Sequence, residues 1–312
     1  MKNATIYLGS KCNLNCSYCH KEISENESSI TDEFISYLKA HSELKRVSFI
    51  GGEPTLYFNE IKKVVDSLPS TMKYKITTNG INIKKYIDYF YEHKFLICIS
   101  YDGSDINLRR YDPFKEIIDY PWLAVSCTLF HGNTDFKKII KNFAEKEKII
   151  GRTLFFFPHI IHYTSEYNKE YALTKEDYDY IFQQYKECVT EYIQDYVKYG
   201  IENIRYRGLF NQLENSYYAH YDFGETYCTN IRTRKFDCKG IDYSCLYIRD
   251  ERSNELSKVI ENKFPYCKIC NVYNMCGAGC VKELNHTLEC YYHKKLYTWF
   301  REYFKQYEEI MK

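Results

Sequence analysis

Six short apolar segments organise the first half of the chain, and each is followed by a polar or amphipathic stretch. Segments that are apolar enough to be buried on both faces are typical of the strands of a parallel sheet. Their alternation with stretches of helical periodicity predicts an α/β fold made of repeated βα units. The predicted strands cover residues 5–8, 47–50, 74–78, 96–100, 124–129 and 153–157.

Helix-start signals agree with this architecture. Thr31 predicts the N-cap of a helix over 34–38, because acidic residues follow it directly. Thr174 with Asp177 forms a capping-box pattern before a long helix that we expect to reach residue 199. Helical periodicity also occurs at 83–90, 136–143 and 292–310.

The charge balance argues against polyanion partners. The chain has 43 Lys and Arg residues against 42 Asp and Glu residues, a formal net charge of +1. Such a balance gives no field that would steer the chain toward nucleic acid or a membrane surface. The N-terminus lacks a signal-peptide pattern, and no window offers about 18 consecutive apolar residues. We therefore expect a cytoplasmic protein with no nucleic-acid or membrane partner.

Fourteen cysteines carry the strongest chemical signal, because most of them lie in short-spaced groups. Without a secretion signal, such groups indicate metal or cluster ligation rather than disulfides. Cys12, Cys16 and Cys19 read C-x3-C-x2-C directly after the first predicted strand, where α/β active sites gather. Three thiolates can hold three irons of a four-iron cluster and leave the fourth iron open to a cosubstrate. Zinc is the alternative, but structural zinc takes four protein ligands and only His20 lies nearby.

This triad, with Tyr18 directly before its third cysteine, resembles the signature of the radical S-adenosylmethionine (SAM) superfamily. The resemblance implies a partial (β/α)6 TIM-like barrel, with the triad holding a SAM-binding [4Fe-4S] cluster. It also implies an electron donor such as flavodoxin or ferredoxin and reductive cleavage of SAM to a 5′-deoxyadenosyl radical. In such enzymes the cofactor carries the hard chemistry, while the protein orients the reactants in a closed pocket.

The segment Gly51-Gly52-Glu53-Pro54, after the second predicted strand, extends the resemblance. Glycines let the backbone approach a ligand, and Glu53 can accept a hydrogen bond from an amine. In the family this segment holds the amino group of the methionine moiety. The other implied SAM or pocket contacts are Asn79, Ser100, Asp102 and either Arg109 or Arg110, whose fork could bind the SAM carboxylate.

A second cysteine group reads Cys267-x2-Cys270-x5-Cys276-x3-Cys280 and then Cys290, and it is preceded by Cys228 and by Gly240-x4-Cys245. This pattern resembles the SPASM domain, which carries two auxiliary [4Fe-4S] clusters in enzymes that modify peptides and proteins. With the triad, the resemblance implies three [4Fe-4S] clusters. It also implies a radical SAM barrel over 1–200, a linking segment over 201–224 and a small cysteine-rich SPASM domain over 225–312. The outer auxiliary cluster is assigned to Cys267, Cys270, Cys276 and Cys290, and the inner one to Cys228, Cys245 and Cys280.

The inner set is one ligand short, because relatives have a further cysteine just before the position of Cys228 and this chain has none there. Cys238 is the candidate substitute. The alternative hypothesis is an open iron that binds a substrate thiolate. Zinc knuckles remain the alternative interpretation of the whole C-terminal group.

Maturases of this kind either oxidise Cys or Ser to formylglycine or crosslink ribosomally made peptides. The sulfatase-maturing type has an Asp base directly after the cysteine of the G-x4-C element, whereas Leu246 follows Cys245 here. We therefore predict that the chain installs a thioether or carbon–carbon crosslink in a small precursor peptide. Since the first strand is predicted at residue 5, we expect the leader to be recognised by a separate leader-binding protein or by the barrel and SPASM surfaces. The alternatives are formylglycine formation, small-molecule dehydrogenation and a non-catalytic cluster- or zinc-binding protein.

Overall fold

The computed structural model describes residues 1–19, 29–103, 109, 112, 114, 117, 120–228, 233–245, 250–251 and 255–311. They fall into two compact units. Unit 1 comprises Met1–Tyr101, Leu108–Ala124 and Cys228–Asn254, and unit 2 comprises Asp102–Asn107, Val125–Tyr227 and Glu255–Lys312. The domain limits at residues 200 and 224 remain a prediction.

The described elements, in chain order, are nine strands, ten α-helices and four 3-10 helices. The strands are β1 (Asn3–Tyr7), β2 (Arg46–Ile50), β3 (Lys73–Thr78), β4 (Leu96–Ser100), β5 (Leu123–Leu129), β6 (Phe155–Ile160), β7 (Thr233–Phe236), β8 (Asp242–Cys245) and β9 (Asp250–Glu251). The α-helices are α1 (Asp32–Ala40), α2 (Phe58–Ser67), α3 (Ile87–Glu92), α4 (Phe136–Ile150), α5 (Lys175–Tyr199), α6 (Ile204–Tyr217), α7 (Glu255–Lys263), α8 (Tyr273–Cys276), α9 (His286–Phe304) and α10 (Glu308–Met311). The 3-10 helices are Pro54–Tyr57, Ile83–Tyr86, Glu166–Tyr171 and Pro265–Ile269.

Unit 1 is built on a sheet in the order β4-β3-β2-β1-β7-β8-β9. The pairs from β4 to β7 are parallel, and β8 and β9 continue antiparallel. The strand interiors are fully buried, as at Ala4, Ile6, Val47, Phe49 and Ile76. The predicted α/β fold with a parallel sheet is confirmed. Because parallel strands end at one edge of a sheet, the loops after β1, β2 and β3 are brought together.

Unit 2 contains most of β5, all of β6 and the longest helices. The capping box predicted at the start of α5 is present, since Thr174 and Asp177 each bond to the other's backbone. Strand β6 extends past Pro158, where the sequence pattern predicts its end. Proline lacks the N–H that a central strand needs but is tolerated at an edge, and β5 is the only strand neighbour of β6 in the described part of the chain.

Helix α6 lies inside the segment that the sequence analysis treats as a link between domains. Its interior glycine, Gly208, weakens the helical signal because glycine favours the unfolded chain. The structure explains why it is glycine: a Cβ at Gly208 would lie 2.0 Å from the carbonyl oxygen of Phe156, so the helix packs directly on β6. Among the described helices, none is both long and apolar enough to cross a membrane.

Candidate active site and metal centres

The predicted triad lies in the loop after β1, in unit 1. Cys16 is buried, while Cys12 and Cys19 are half-buried. The backbone N–H of Leu14 donates to Cys12 Sγ at 3.4 Å, and the N–H of Cys19 donates to the carbonyl of Cys16 at 2.9 Å. The loop is therefore turned so that its backbone already supports the sulfur of the first cysteine.

The glycines after β2 hold this triad loop in place by direct backbone contact. The N–H of Gly52 donates to Gly9 O at 2.8 Å, and the N–H of Glu53 donates to Lys11 O at 2.9 Å. A Cβ at Gly52 would lie 2.4 Å from Lys11 O, and one at Gly51 would lie 2.6 Å from Gly9 O. The two glycines thus allow the loops after β1 and β2 to approach each other closely. The sequence predicts a further role, the approach of the backbone to a ligand.

Glu53 is fully buried and joins the loops after β2 and β3. Its Oε1 accepts hydrogen bonds from the N–H of Thr55 at 3.0 Å and from the hydroxyls of Thr55 and Thr78, each at 2.7 Å. Its Oε2 accepts from the N–H of Asn79 at 2.8 Å. These four donors fix the orientation of the Glu53 carboxyl group. Glu53 therefore positions Asn79, and its contact with the amine of SAM remains a prediction. Pro54, also buried, opens the 3-10 helix that follows.

Asn79 lies against the first cysteine of the triad. Its side-chain amide donates to Asn13 Oδ1 at 2.8 Å and to Cys12 Sγ at 3.9 Å. Its own Oδ1 accepts from the N–H of Ile81 at 3.0 Å, which fixes the orientation of the amide. Asn79 is predicted from the sequence as a site residue, whereas Asn13 is not, because its role depends on a contact 66 residues away along the chain.

Arg109 is also brought to the triad loop. Its guanidinium lies over the ring of Tyr18, 5.4 Å from the ring centroid, within the range of a cation–π contact. Tyr18 is buried, so the aromatic residue of the motif supports a cation beside the third cysteine. Arg110 lies outside the described residues, and the choice between the two arginines stays open.

Ser100 and Asp102 fall in different units. Ser100 ends β4 in unit 1, where it is half-buried. Asp102 belongs to unit 2, and its Oδ1 accepts from the N–H of Thr128 at 3.2 Å while its carbonyl accepts from Asn133 at 3.2 Å. These hydrogen bonds to Thr128 and Asn133 account for the burial of Asp102. Its role toward SAM remains a prediction.

The four predicted ligands of the outer auxiliary cluster line one pocket in unit 2. Cys267 and Cys270 come from the chain between α7 and α8, Cys276 is the last residue of α8, and Cys290 lies in α9. The pocket is lined by Cys267, Cys270, Val272, Tyr273, Cys276, Ala278, His286, Cys290, His293 and Lys294. The sequence spacing thus brings together the four sulfurs that the SPASM resemblance assigns to one cluster.

The electrostatics of this pocket fit a metal core that carries positive charge. Burial raises the pKa of Cys267 to about 11, with further contributions from Cys290 and Cys270. Burial likewise raises the pKa of Cys276 and of Cys290. Neighbouring buried thiols oppose each other's ionisation, whereas bound iron or zinc favours the thiolate form. The donor set therefore fits a [4Fe-4S] cluster, and four thiols would also fit zinc.

Two histidines of α9 complete the pocket wall, and the sequence analysis missed both. His293 Nδ1 lies 3.3 Å from Cys276 Sγ, and burial lowers the pKa of His293 to about 3. The neutral imidazole can donate to a metal-bound sulfur when its proton is on Nδ1. His286 Nε2 bonds to the carbonyl of Ala278 at 2.8 Å. His286, Cys290 and His293 are spaced four and three residues apart, which places them on one helix face. That spacing is a signal that sequence reasoning could have used.

The predicted inner ligands are divided between the units: Cys228 and Cys245 belong to unit 1 and Cys280 to unit 2. The ammonium of Lys235 donates to the carbonyl of Cys228 at 3.4 Å, and Cys245 is buried at the end of β8. The N–H of Cys280 donates to a carboxylate oxygen of Glu289 at 3.1 Å. The composition of the inner cluster remains a prediction.

Cys238 lies in the turn after β7 and is buried. Its Sγ donates to the carbonyl of Leu8 at 3.4 Å and lies 3.7 Å from that of Tyr7. The N–H of Thr31 donates to the carbonyl of Cys238 at 3.2 Å. These contacts give the thiol partners at the end of β1, and an inner-cluster role would require it to leave them.

A parallel sheet with three cysteines in the loop after its first strand defines a class of cluster-binding α/β proteins. Residues 6–151 match the model of the radical SAM superfamily. Residues 6–151 of the chain therefore form a radical SAM domain.

The curated relatives each match a limited part of the chain. An uncharacterized protein of Methanocaldococcus jannaschii is 34% identical over 122 residues, 36% of this chain and 43% of that protein. A probable GTP 3′,8-cyclase of Archaeoglobus fulgidus is 34% identical over 90 residues, 28% of this chain and 30% of that protein. The matched part thus spans less than half the length of these relatives.

Two solved structures resemble nearly the whole chain in fold. Native anSMEcpe with bound AdoMet and Kp18Cys peptide has a TM-score of 0.65 at 22% identity, covering 96% of this chain and 97% of that one. Streptococcus suis SuiB bound to the precursor peptide SuiA has a TM-score of 0.56 at 17% identity, covering 89% of this chain and 71% of that one. The fold likeness therefore extends past the radical SAM domain into the cysteine-rich C-terminal part.

Proposed function

We propose that this protein is a radical SAM enzyme that modifies a small ribosomally made precursor peptide and installs a thioether or carbon–carbon crosslink. The observation that carries this proposal is the pocket of four cysteines in unit 2, which is separate from the triad in unit 1. A second cluster site is unnecessary for SAM cleavage alone. A second set of four cysteines therefore supports a reaction in which a further cluster accepts an electron from the substrate or binds its thiolate. The likeness in fold to two structures that contain bound peptides supports a peptide substrate.

In this proposal Cys12, Cys16 and Cys19 hold the [4Fe-4S] cluster that, when reduced by flavodoxin or ferredoxin, supplies the electron for SAM cleavage. The residues around the triad supply orientation. Glu53 fixes the loop of Asn79, which supports the Cys12 sulfur, and Arg109 offers a guanidinium to the carboxylate of SAM. Cys267, Cys270, Cys276 and Cys290 hold the outer auxiliary cluster, and Cys228, Cys245 and Cys280, with or without Cys238, hold the inner one.

Sequence similarity to GTP 3′,8-cyclases does not favour a nucleotide substrate, because the match to the Archaeoglobus protein covers only 28% of this chain. Formylglycine formation is the second candidate on the strength of the fold likeness to anSMEcpe. The residue that weighs against it, Leu246 in place of an Asp base, lies outside the described residues, so that argument still depends on sequence alone.

The first test is metal analysis of protein reconstituted without oxygen. Three four-iron clusters predict about twelve irons per chain, falling to about eight when Cys12, Cys16 and Cys19 are all changed to Ala. Incubation with dithionite and SAM should release 5′-deoxyadenosine from the parent and none from the triple variant. About four irons with zinc at the other cysteines would overturn the two-cluster assignment.

The second test uses peptides encoded beside the gene, with mass spectrometry as the readout. A crosslink is expected to remove two hydrogens, about 2 Da, and to leave linked residues after tandem fragmentation. Oxidation of Cys to formylglycine would instead remove sulfur and give an aldehyde that reacts with hydrazides, which would favour the second candidate. A loss of 2 Da from an added alcohol, with every peptide unchanged, would contradict peptide modification.

A further inference from the structure

A third group of ligand-type side chains lies in unit 2 and shares no residue with either cysteine set. It consists of His162, just after β6, Glu283, in the turn before α9, and Glu289, in the first turns of α9. One ligand atom from each lies within 4.8 Å of the other two. Both glutamates are 3% exposed, whereas the His162 side chain is 36% exposed. The group is thus a buried carboxylate pair with an imidazole on its open side.

The spacing of these atoms fits a shared ion better than direct hydrogen bonds. His162 Nδ1 lies 3.7 Å from Glu283 Oε2 and 3.5 Å from Glu289 Oε1. A hydrogen bond between such groups would be about 2.7–3.2 Å long. Ligand atoms around a tetrahedral ion, with bonds of about 2.0–2.2 Å, lie about 3.3–3.6 Å apart. The two distances from His162 therefore lie close to the separations that a common ion would impose, and the two glutamate oxygens lie within 4.8 Å of each other.

The charge of the group also calls for a cation. Two buried carboxylates repel each other and lose hydration, which is costly unless a positive charge is nearby. Within the described part of the chain, no lysine or arginine forms an ion pair with Glu283 or Glu289. His162 is the only side chain that pairs with them there.

Backbone hydrogen bonds hold the carboxylates in orientation. Glu283 Oε2 accepts from the N–H of Tyr163 at 2.8 Å, and Glu289 Oε2 accepts from the N–H of Cys280 at 3.1 Å. The N–H of Leu284 donates to the carbonyl of Tyr163 at 2.7 Å, which joins the two segments. Such outer contacts are typical of metal-binding carboxylates, whose affinity depends on fixed orientation.

We propose that His162, Glu283 and Glu289 bind one divalent transition-metal ion, with zinc as its representative, and leave the fourth position to water on the exposed side of His162. One imidazole and two carboxylates suit zinc and similar ions, and three protein ligands leave a position open. The ion would pin the segment after β6 to the turn that carries Cys280. The site uses no cysteine, so it does not depend on the proposed cluster assignments.

The test uses the full chain, reconstituted with iron and sulfide without oxygen, freed of any affinity tag and dialysed against buffered zinc. Zinc, iron and sulfide are counted together, and the zinc X-ray absorption fine structure identifies the ligand atoms. We compare the parent with His162→Ala and Glu289→Gln. His159→Ala is the matched control, since His159 is an exposed histidine on β6.

We expect one zinc per chain with nitrogen and oxygen ligands in the parent and in His159→Ala. Zinc should fall at least tenfold in His162→Ala, with iron and sulfide unchanged. Glu283→Gln, which keeps the side-chain shape, should give the same loss if Glu289→Gln impairs folding. Full iron with no bound zinc in the parent, or zinc that survives His162→Ala, would overturn this site. Zinc bound through sulfur with little iron would instead overturn the cluster assignments under the proposed function, so the two failures are distinguishable.

Discussion

In the proposed outer auxiliary cluster, a hydrogen bond from His293 to Cys276 would make the reduction potential sensitive to one side chain. His293 Nδ1 lies 3.3 Å from Cys276 Sγ, and its lowered pKa keeps the imidazole neutral. A donor to a ligand sulfur stabilises the reduced cluster, which carries the greater negative charge, more than the oxidised one. Changing His293 to Phe removes the donor and keeps an aromatic ring.

The size of the effect follows from ordinary hydrogen-bond energies. A hydrogen bond to a charged group contributes about 1.5–3 kcal/mol. We take the hydrogen bond to be about 1 kcal/mol stronger in the reduced cluster than in the oxidised one. Its loss then lowers the midpoint potential by about 40 mV for a one-electron couple. His293→Gln retains an N–H donor and should restore part of the difference.

The assay is a redox titration followed by electron paramagnetic resonance. All proteins carry the Cys12, Cys16 and Cys19 to Ala changes, so that only auxiliary clusters contribute, and the outer signal is identified by its loss in Cys270→Ala. An unchanged potential in His293→Phe, or a shift to more positive values, would refute the reasoning. A missing outer signal in the parent would refute the cluster assignment instead.

Three further predictions concern the loops and helix starts. Gly52→Ala places a Cβ 2.4 Å from a carbonyl of the triad loop and should reduce the iron content by about four per chain. The control is Gly151→Ala, where a Cβ has room but φ is +67°. It should cost about 1 kcal/mol of stability and leave the iron content unchanged. Glu53→Ala leaves four buried donors without their acceptor and should lower the free energy of unfolding by about 3 kcal/mol or more, measured by anaerobic urea titration. Thr174→Ala removes the capping box with Asp177 and should cost about 1 kcal/mol in the same titration, and a change below the error of that titration would contradict the capping argument.

Much of the fold follows from local patterns in the sequence. The first five predicted strands begin and end within two residues of β1 to β5. Buried parallel strands have to be apolar throughout, so their signal is strong and needs no tertiary knowledge. The N-caps at Thr31 and Thr174 were also predictable, because a cap is a contact between residues three apart.

The details of the site depended on contacts between distant parts of the chain. The sequence identifies Glu53 as a ligand-binding residue, while the structure shows four donors from two loops around it. Asn13 and His293 were missed because their partners lie 66 and 17 residues away. Helix α6 was missed since its packing on β6 requires a glycine that weakens the helical pattern.

The position of β1 between β2 and β7 has a consequence for how the protein can be divided. Asn3 pairs in register with Arg46 on one side and with Thr233 on the other. A fragment ending at residue 200 would thus leave one side of β1 as an open edge, and unpaired edges invite association with other chains. During synthesis, β1 cannot pair with β7 until residues more than 200 positions later have been made. The triad loop therefore leaves the ribosome long before the sheet beneath it is complete. A cluster inserted at that stage would bind a loop whose supporting sheet is incomplete.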